Sequence, residues 1–303
     1  MKKIVYMGTP QYAKEILQAL LDDNTIEVEL VLTQPDRPVG RKKELKPSEV
    51  KMLSLEANIN LLQPEKLSDN GVYETIKEVK PDYIIVAAFG QLLPKNILDI
   101  APCINLHASL LPRYRGASPV QQALLNSDEF TGVTAMLMEE GLDSGPILGY
   151  RYFKIPKDMI LPQLMDRLSS DASLLTIETL NNFENINPLE QIRAISTHCK
   201  KIKKSDGEVN FDNSSILYNK YRAFYGWPGI FLDNKTKLFG IDLIETSSKN
   251  IAGEILAIDK SGISIGCKRG SVKIKQLQPV SKKIVDAKAY VIGRGLKVGN
   301  SLL

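Results

Sequence analysis

The chain has 303 residues, of which 43% are hydrophobic and 24% charged, as is typical of a folded globular protein large enough for two domains. No apolar run approaches the ~20 residues of a membrane helix, and the chain begins without the pattern of a signal peptide, so we expect a cytoplasmic protein that does not enter membranes. The net charge of +4 is uneven, because residues 200–303 carry +10 and residues 1–199 carry −6.

Short apolar runs alternate with segments of helical spacing through the first half of the chain. We predict strands over residues 3–7, 28–32, 83–88, 133–138 and 147–153, and a further strand that ends near His107. Helices are predicted after Pro10, after Ser48 and over residues 161–180. Strands that alternate with helices indicate an α/β fold, a doubly wound Rossmann-like domain with a mostly parallel sheet. Ligands of such sheets bind beyond the carboxyl ends of the strands, where the strand order reverses.

The pattern changes after Pro188, where residues 189–204 have the spacing of a helical, increasingly basic connector. Beyond it, glycine, asparagine and serine separate short alternating runs at 208–211, 238–241, 253–258, 262–267 and 271–274. This rhythm is typical of a small β-barrel. We therefore expect a Rossmann-like domain over 1–188, a basic linker over 189–204 and a β-barrel domain over 205–303. The lysine clusters of the last third favour a polyanionic partner over a basic surface that only keeps the protein soluble.

Asn105 and His107 are the most informative polar pair. They lie two residues apart in a predicted strand, so their side chains point to the same face. Together with a carboxylate such as Asp143, they would supply an oxyanion donor, a proton-handling group and a residue that orients it, which is the chemistry of acyl transfer. Each also has a structural interpretation, because a lone histidine often bonds a backbone carbonyl and Asp143 lies in a glycine-bounded turn.

The sequence lacks the usual binding motifs of two common cofactor classes, dinucleotides and metal ions. The turn Gly8-Thr9-Pro10 follows the first predicted strand but contains a single glycine, so the dinucleotide fingerprint is missing and a nicotinamide cofactor is not expected. The three cysteines are too far apart for the usual metal or disulfide spacings, so no metal is expected either.

The run from Asn105 to Gly116, followed by Leu142-Asp143-Ser144-Gly145, resembles the active-site signature of the folate-dependent formyltransferases. Further segments resemble the branch of that family that acts on charged tRNA: Met7-Gly8-Thr9-Pro10, Thr33 to Pro38, Ala88-Phe89-Gly90 and Ala117 to Gln121. The resemblance covers nearly the whole chain. It departs at Pro146, where many relatives have an acidic residue.

The resemblance implies a formyl transfer from 10-formyltetrahydrofolate to the amino group of methionine on charged initiator tRNA. It implies a monomer that needs no metal, and an OB-like barrel that binds the tRNA. The implied catalytic residues are Asn105, His107 and Asp143. Whether His107 or Asp143 takes the proton of the attacking amine stays open.

The resemblance also implies two sets of binding residues. The reduced folate would contact Ser109, Leu110, Leu111 and Pro112, with Phe89, Gly90, Gln91 and Leu92 in the pterin pocket. The tRNA would contact the basic residues Arg37, Arg41, Lys42 and Lys43 of one loop, and Lys203 and Lys204 of the linker.

Two other functions are compatible with parts of this pattern. One is formyl transfer to a small amine, such as a purine precursor or an amino sugar, but such an enzyme has no evident use for a module of charge +10. The other is a non-catalytic RNA-binding protein, which has no reason to keep Asn105, His107 and Asp143 together.

Overall fold

The computed structural model describes residues 1–39 and 44–302 of the chain. Its contacts divide the chain into two compact units. The first unit consists of Met1–Pro119, Glu129–Ile155 and Leu164–Lys200, and the second of Val120–Asp128, Pro156–Gln163 and Lys201–Leu303. Among the described residues, every helix falls short of the length and apolarity needed to cross a membrane.

The elements up to residue 200 belong mainly to the first unit. The strands are β1 (Lys2–Gly8), β2 (Ile26–Leu32), β3 (Arg37–Val39), β4 (Glu44–Lys46), β5 (Asn60–Leu62), β6 (Tyr83–Ala87), β7 (Cys103–His107), β8 (Arg115–Gly116), β9 (Phe130–Leu137), β10 (Ile147–Lys154) and β11 (His198–Cys199). The helices are α1 (Gln11–Asp22), α2 (Glu49–Glu56), α3 (Val72–Val79), α4 (Lys95–Leu98), α5 (Pro119–Leu125) and α6 (Leu161–Asn182).

Local sequence explains why these elements form. All five residues of β6 are apolar or aromatic and buried, as a strand covered on both faces requires. Helix α1 buries one apolar stripe that includes Ile16, Leu17 and Leu20, and it packs against β1, β2 and β6. Helix α2 begins after Ser48, whose Oγ accepts the backbone N–H of Lys51 at 3.0 Å and so caps the helix.

The order of the strands reverses within the main sheet, at the position where doubly wound sheets bind their ligands. Seven strands lie in the order β10-β9-β7-β6-β1-β2-β5. Strands β7, β6, β1, β2 and β5 are parallel, whereas β9 is antiparallel to β7 and β10. The chain order reverses between β1 and β6, so the loops that follow these strands border a crevice, with the end of β7 beside it. The prediction of a doubly wound, mostly parallel sheet is confirmed.

The second unit contains a six-stranded antiparallel sheet and two further helices. The elements are α7 (Ser214–Ala223), β12 (Ile230–Phe231), β13 (Lys237–Glu245), β14 (Ile255–Asp259), β15 (Gly262–Gly266), β16 (Ser271–Gln278), β17 (Val285–Asp286) and α8 (Ala287–Gly293). The sheet order is β12-β13-β16-β15-β14, and β17 pairs with β16. Ile255, Ile263 and Ile274 are among the fully buried core residues. The predicted small β domain is confirmed, although its expected strand at 208–211 is reduced to one isolated bridge between Glu208 and Phe231.

The connector after Pro188 is not the helix that its spacing predicts. Leu189 exchanges two backbone hydrogen bonds with Ile147, at 2.8 and 2.9 Å. A single 3-10 turn covers Arg193–Ile195, and β11 pairs in parallel with β8. The helical prediction is wrong because the backbone groups of this segment bond to distant strands of the first unit instead of to one another.

Candidate active site

Asn105 and His107 lie at the end of β7, where Asn105 is in register with both neighbouring strands and His107 with β9. Asn105 lies opposite Val86 of β6 and Met136 of β9, and His107 lies opposite Thr134 of β9. Both side chains are buried, with 9% and 7% of their surface exposed. The spacing of two residues therefore does what strand geometry predicts, and both polar groups emerge on one face next to the crevice.

Asp143 meets this pair from the loop between β9 and β10. Its Oδ1 accepts a long hydrogen bond from Asn105 Nδ2 at 3.4 Å. Its Oδ2 accepts the backbone N–H of Gly116 at 2.7 Å and lies 3.8 Å from His107 Nδ1. The structure thus brings together the three residues that the sequence selects, although Asp143 is thirty-six residues beyond His107 in the chain.

The hydrogen bonds of His107 assign different tasks to its two ring nitrogens. Nε2 lies 2.9 Å from the backbone carbonyl of Tyr114. Because a carbonyl oxygen can only accept, Nε2 must carry the hydrogen of this bond. Nδ1 faces the carboxylate of Asp143 and is the nitrogen left to take up or release a proton. The structural and the catalytic interpretation of this histidine are therefore compatible, one at each nitrogen.

Strained backbone angles occur in the loops around these side chains. Ala88, Tyr114 and Asp143 have positive φ angles of 45°, 62° and 48°, a region that residues with a Cβ seldom occupy. Gly116 has a φ of 110°, and a Cβ added there would lie 2.5 Å from the carbonyl oxygen of Cys199. Strained residues of this kind persist where the surrounding structure holds them, and they often occur at functional sites.

Ser109 to Pro112, the first segment predicted to contact the folate, is fastened to β9. Thr134 Oγ1 donates to the Ser109 carbonyl at 2.6 Å and accepts the N–H of Leu111 at 3.1 Å. Ser109 Oγ donates to the carbonyl of Arg113 at 2.6 Å, and Leu111 packs with Met136 and Ile147 in a small apolar cluster. Leu110 and Pro112 are half-buried. An apolar wall next to a few polar side chains is the usual composition of a site for a small ligand.

In the second predicted folate segment, residues 89–92, two of the side chains make contacts within the protein. The ring of Phe89 lies in the hydrophobic core with 2% exposure. The side-chain amide of Gln91 accepts the N–H of Leu67 at 3.0 Å and donates to the carbonyl of Glu65 at 3.2 Å. Gly90 has a φ of 88°, and Leu92 is 65% exposed. In this segment the accessible groups are the backbone and Leu92, because the Phe89 and Gln91 side chains are occupied within the protein.

A buried network behind Asp143 has no recognisable signal in the sequence. Gln191 is 7% exposed and bonds to Arg115 and to the backbone of the Asp143 loop. Thr197 Oγ1 accepts the N–H of Tyr114 at 2.8 Å. Burial raises the pKa of the Cys199 thiol, which donates to the carbonyls of Tyr114 and Arg115 at 3.4 Å. The segment predicted as a linker therefore also supports the candidate site.

Two family models together match most of the chain. The model described as formyl transferase matches residues 2–180, and the model described as formyl transferase, C-terminal domain, matches residues 201–295. The chain belongs to the formyl transferase family. The resemblance expected from the Asn105 to Gly116 run is thereby confirmed.

Individual proteins that are similar to this formyl transferase include named formyltransferases. The methionyl-tRNA formyltransferase of Sulfurovum sp. is 59% identical over 301 residues, which cover 99% of both chains. Among solved structures, methionyl-tRNA formyltransferase from Clostridium thermocellum has a TM-score of 0.58 at 18% identity, covering 80% of this chain and 94% of that one. HypX from Aquifex aeolicus in complex with tetrahydrofolic acid has a TM-score of 0.62 at 18% identity, and this chain spans about half of it, 48%. At 18% identity these structures show a shared fold.

The basic residues predicted to contact tRNA lie at the surface where the structure describes them. Arg37 is the first residue of β3, which pairs antiparallel with β4, and it forms an exposed ion pair with Glu65 at 3.1 Å. Arg41, Lys42 and Lys43 lie outside the described residues. Lys203 and Lys204 are exposed near the start of the second unit, where the Lys203 N–H donates to Asp206 at 2.7 Å.

Proposed function

We propose that this formyl transferase moves the formyl group of 10-formyltetrahydrofolate to the amino group of methionine on charged initiator tRNA. The observation that carries the proposal is the convergence of Asn105, His107 and Asp143 beside the crevice, in a chain 59% identical over its whole length to a methionyl-tRNA formyltransferase. The folate donor supplies a formyl carbon whose oxygen becomes negative when the amine adds. The C–N bond to the amine forms and the bond to the donor nitrogen breaks. The attacking amine loses one proton, and the released donor nitrogen takes one up, so that the reaction balances.

Each member of the trio matches one requirement of this reaction. Asn105 Nδ2 has two hydrogens, of which one points to Asp143, so the second can donate to the developing oxyanion. His107 can accept or return a proton at Nδ1, since Nε2 is committed to Tyr114. The Asp143 carboxylate lies 3.8 Å from Nδ1, where it can orient the ring or hold a water that carries the amine proton.

The positive charge of residues 200–303 supports a nucleic-acid substrate. We assign residues 1–188 to catalysis, residues 189–204 to a basic linker and residues 205–303 to tRNA binding. We also propose that the protein acts as a monomer. Residues 200–303 carry a balance of +10, and Lys203 and Lys204 lie exposed at the start of this region. Arg37, Arg41, Lys42 and Lys43 form a second group of basic residues. Together, the two groups supply positive charges that can bind the phosphates of a tRNA.

A parallel transfer assay tests this function. A donor with a radiolabelled formyl group is offered with charged initiator tRNA, charged elongator tRNA, an amino sugar and a purine-precursor amine. We expect label on methionine of the charged tRNAs, with the highest kcat/KM for the initiator. Preferential labelling of one of the small amines would show that this amine, and not the tRNA, is the acceptor. If no acceptor is labelled, formyl transfer itself is refuted.

A further inference from the structure

Gln191 has a hydrogen-bond partner for every donor and acceptor of its side chain. Its Nε2 donates to the backbone carbonyls of Asp143 at 3.0 Å and Gly145 at 2.8 Å. Its Oε1 accepts from Arg115 Nε at 3.0 Å and Arg115 Nη2 at 2.6 Å. A buried amide that satisfies its full capacity is held in one rotamer, because any rotation would break several bonds at once.

The partners also fix which end of the amide points where. A guanidinium group can only donate, so Arg115 must face the oxygen. The two loop carbonyls can only accept, so they must face the nitrogen. Arg115 is 7% exposed, and no carboxylate within the described ranges 1–39 and 44–302 forms an ion pair with it. The buried cation is therefore available to hold the Gln191 oxygen.

We infer that Gln191 is a positioning residue that clamps the loop carrying Asp143. Asp143 has a φ of 48°, a left-handed conformation that a residue with a Cβ seldom adopts unless its surroundings hold it. Gly116 and Asn105 hold its carboxylate, whereas Gln191 holds its backbone carbonyl and that of Gly145. The clamp therefore fixes the carboxylate relative to His107 Nδ1, 3.8 Å away. This role rests on the proposed function of the trio.

The substitution Gln191→Glu separates positioning from structural support. The carboxylate keeps the shape of the side chain and still accepts from Arg115, now as a charge-assisted pair. It cannot donate to the Asp143 and Gly145 carbonyls, and it repels them. We expect kcat to fall about 10- to 100-fold with KM for both substrates within about 3-fold, because the transition state depends most on the position of Asp143. The thermal midpoint should fall, because two backbone carbonyls lose their donors, but by less than in a variant that also loses the bonds to Arg115.

Two further variants complete the test. Gln191→Met removes the bonds to Arg115 as well as those to the loop, so it should lower both the thermal midpoint and kcat. Glu190→Gln, a charge change at the exposed neighbouring residue, should leave both unchanged. The clamp predicts similar losses of kcat in Gln191→Glu and Gln191→Met, because both lose the bonds to the loop. A purely structural role predicts that kcat follows stability, so that Gln191→Glu would be clearly more active than Gln191→Met, and that result would overturn the clamp.

The outcomes also distinguish the clamp from the proposed function. Hydrogen exchange of the backbone amides in residues 141–145, measured on the full chain without substrates, should be faster in Gln191→Glu than in wild type and Glu190→Gln. Unchanged exchange together with unchanged kcat overturns the clamp. If the wild-type protein transfers no formyl group, the proposed function is overturned. If exchange is then still faster in Gln191→Glu than in wild type, the clamp stands without it.

Discussion

At the scale of single residues, the carboxylate of Asp143 is the most constrained group of the candidate site. One oxygen meets Asn105, and the other meets the Gly116 N–H and faces His107. Such convergence has a cost, since burying a carboxylate is unfavourable unless donors replace its water. The amide and backbone donors meet that requirement without a full positive charge, which leaves the carboxylate able to act on the His107 ring.

Alanine at any of these three positions should abolish most of the activity. Asn105→Ala removes the oxyanion donor, His107→Ala the proton-handling ring, and Asp143→Ala the group that orients it. We expect each to lower kcat by at least about 10²-fold, the usual effect of losing one such group. The measurement is steady-state formylation of charged initiator tRNA, with circular dichroism to verify folding. A folded variant with wild-type turnover would remove that residue from the mechanism.

At the scale of elements, the short parallel pair β8–β11 supports the candidate site. The Arg115 N–H donates to the Thr197 carbonyl at 2.9 Å, and the Ala117 N–H donates to the Cys199 carbonyl at 3.3 Å. The approach is close only because Gly116 has no side chain, and the same residue donates its N–H to Asp143. Packing of two distant segments and orientation of a carboxylate thus depend on one glycine.

Gly116→Ala should therefore destabilise the protein more than its backbone angle alone explains. Gly71→Ala is the matched control, because Gly71 also has a positive φ, 86°, but a Cβ there would meet nothing within 4 Å. We expect a loss of roughly 1–2 kcal/mol for Gly71→Ala from backbone strain. For Gly116→Ala, where the Cβ would lie 2.5 Å from the Cys199 oxygen, the loss should be roughly 3 kcal/mol or more. Urea unfolding of both variants provides the comparison, and equal losses would contradict it.

At the scale of the whole molecule, the dominant feature is the separation of charge along the chain. The first two thirds of the chain, residues 1–199, carry the trio and have a balance of −6, whereas residues 200–303 have a balance of +10. A field of this kind raises the rate of encounter with a polyanion and makes its binding sensitive to salt. Its effect on a folate is much smaller, because a folate carries only a few negative charges whereas a tRNA carries one at every phosphate.

The double substitution Lys203→Gln, Lys204→Gln should weaken tRNA binding selectively. If both lysines contact phosphates, the slope of log K against log salt should fall by roughly 1–2. Lys95→Gln, Lys154→Gln is the matched control, since both residues are exposed lysines of the first unit already paired with Asp99 and Glu129. Filter binding of charged tRNA across a salt series, with folate binding measured in parallel, provides the data. Identical slopes in the two double variants would place the tRNA elsewhere.

Local patterns predicted a large part of this protein. The alternation of apolar runs with helical spacing identified the Rossmann-like sheet, because buried parallel strands are necessarily apolar on both faces. The pair Asn105 and His107 could be selected because the period of a strand is local, and the resemblance to formyltransferases added Asp143. The roles assigned to these three residues, and to the folate and tRNA contacts, stay predictions until the variants are measured.

Only the tertiary structure decided how the segment after Pro188 folds and what it supports. The spacing of Leu189, Ile192 and Ile195 is compatible with a helix, but their segment makes its hydrogen bonds to β8 and to Ile147. Gln191 carries no local signal at all, since an amide in a polar stretch is ordinary and its partners are distant in the chain. The amino-acid sequence by itself determined the two kinds of domain and the reactive pair, because these follow from short-range periodicity. The clamp, the tautomer of His107 and the strain at Asp143 depend on contacts between distant segments, which exist only once the chain has folded.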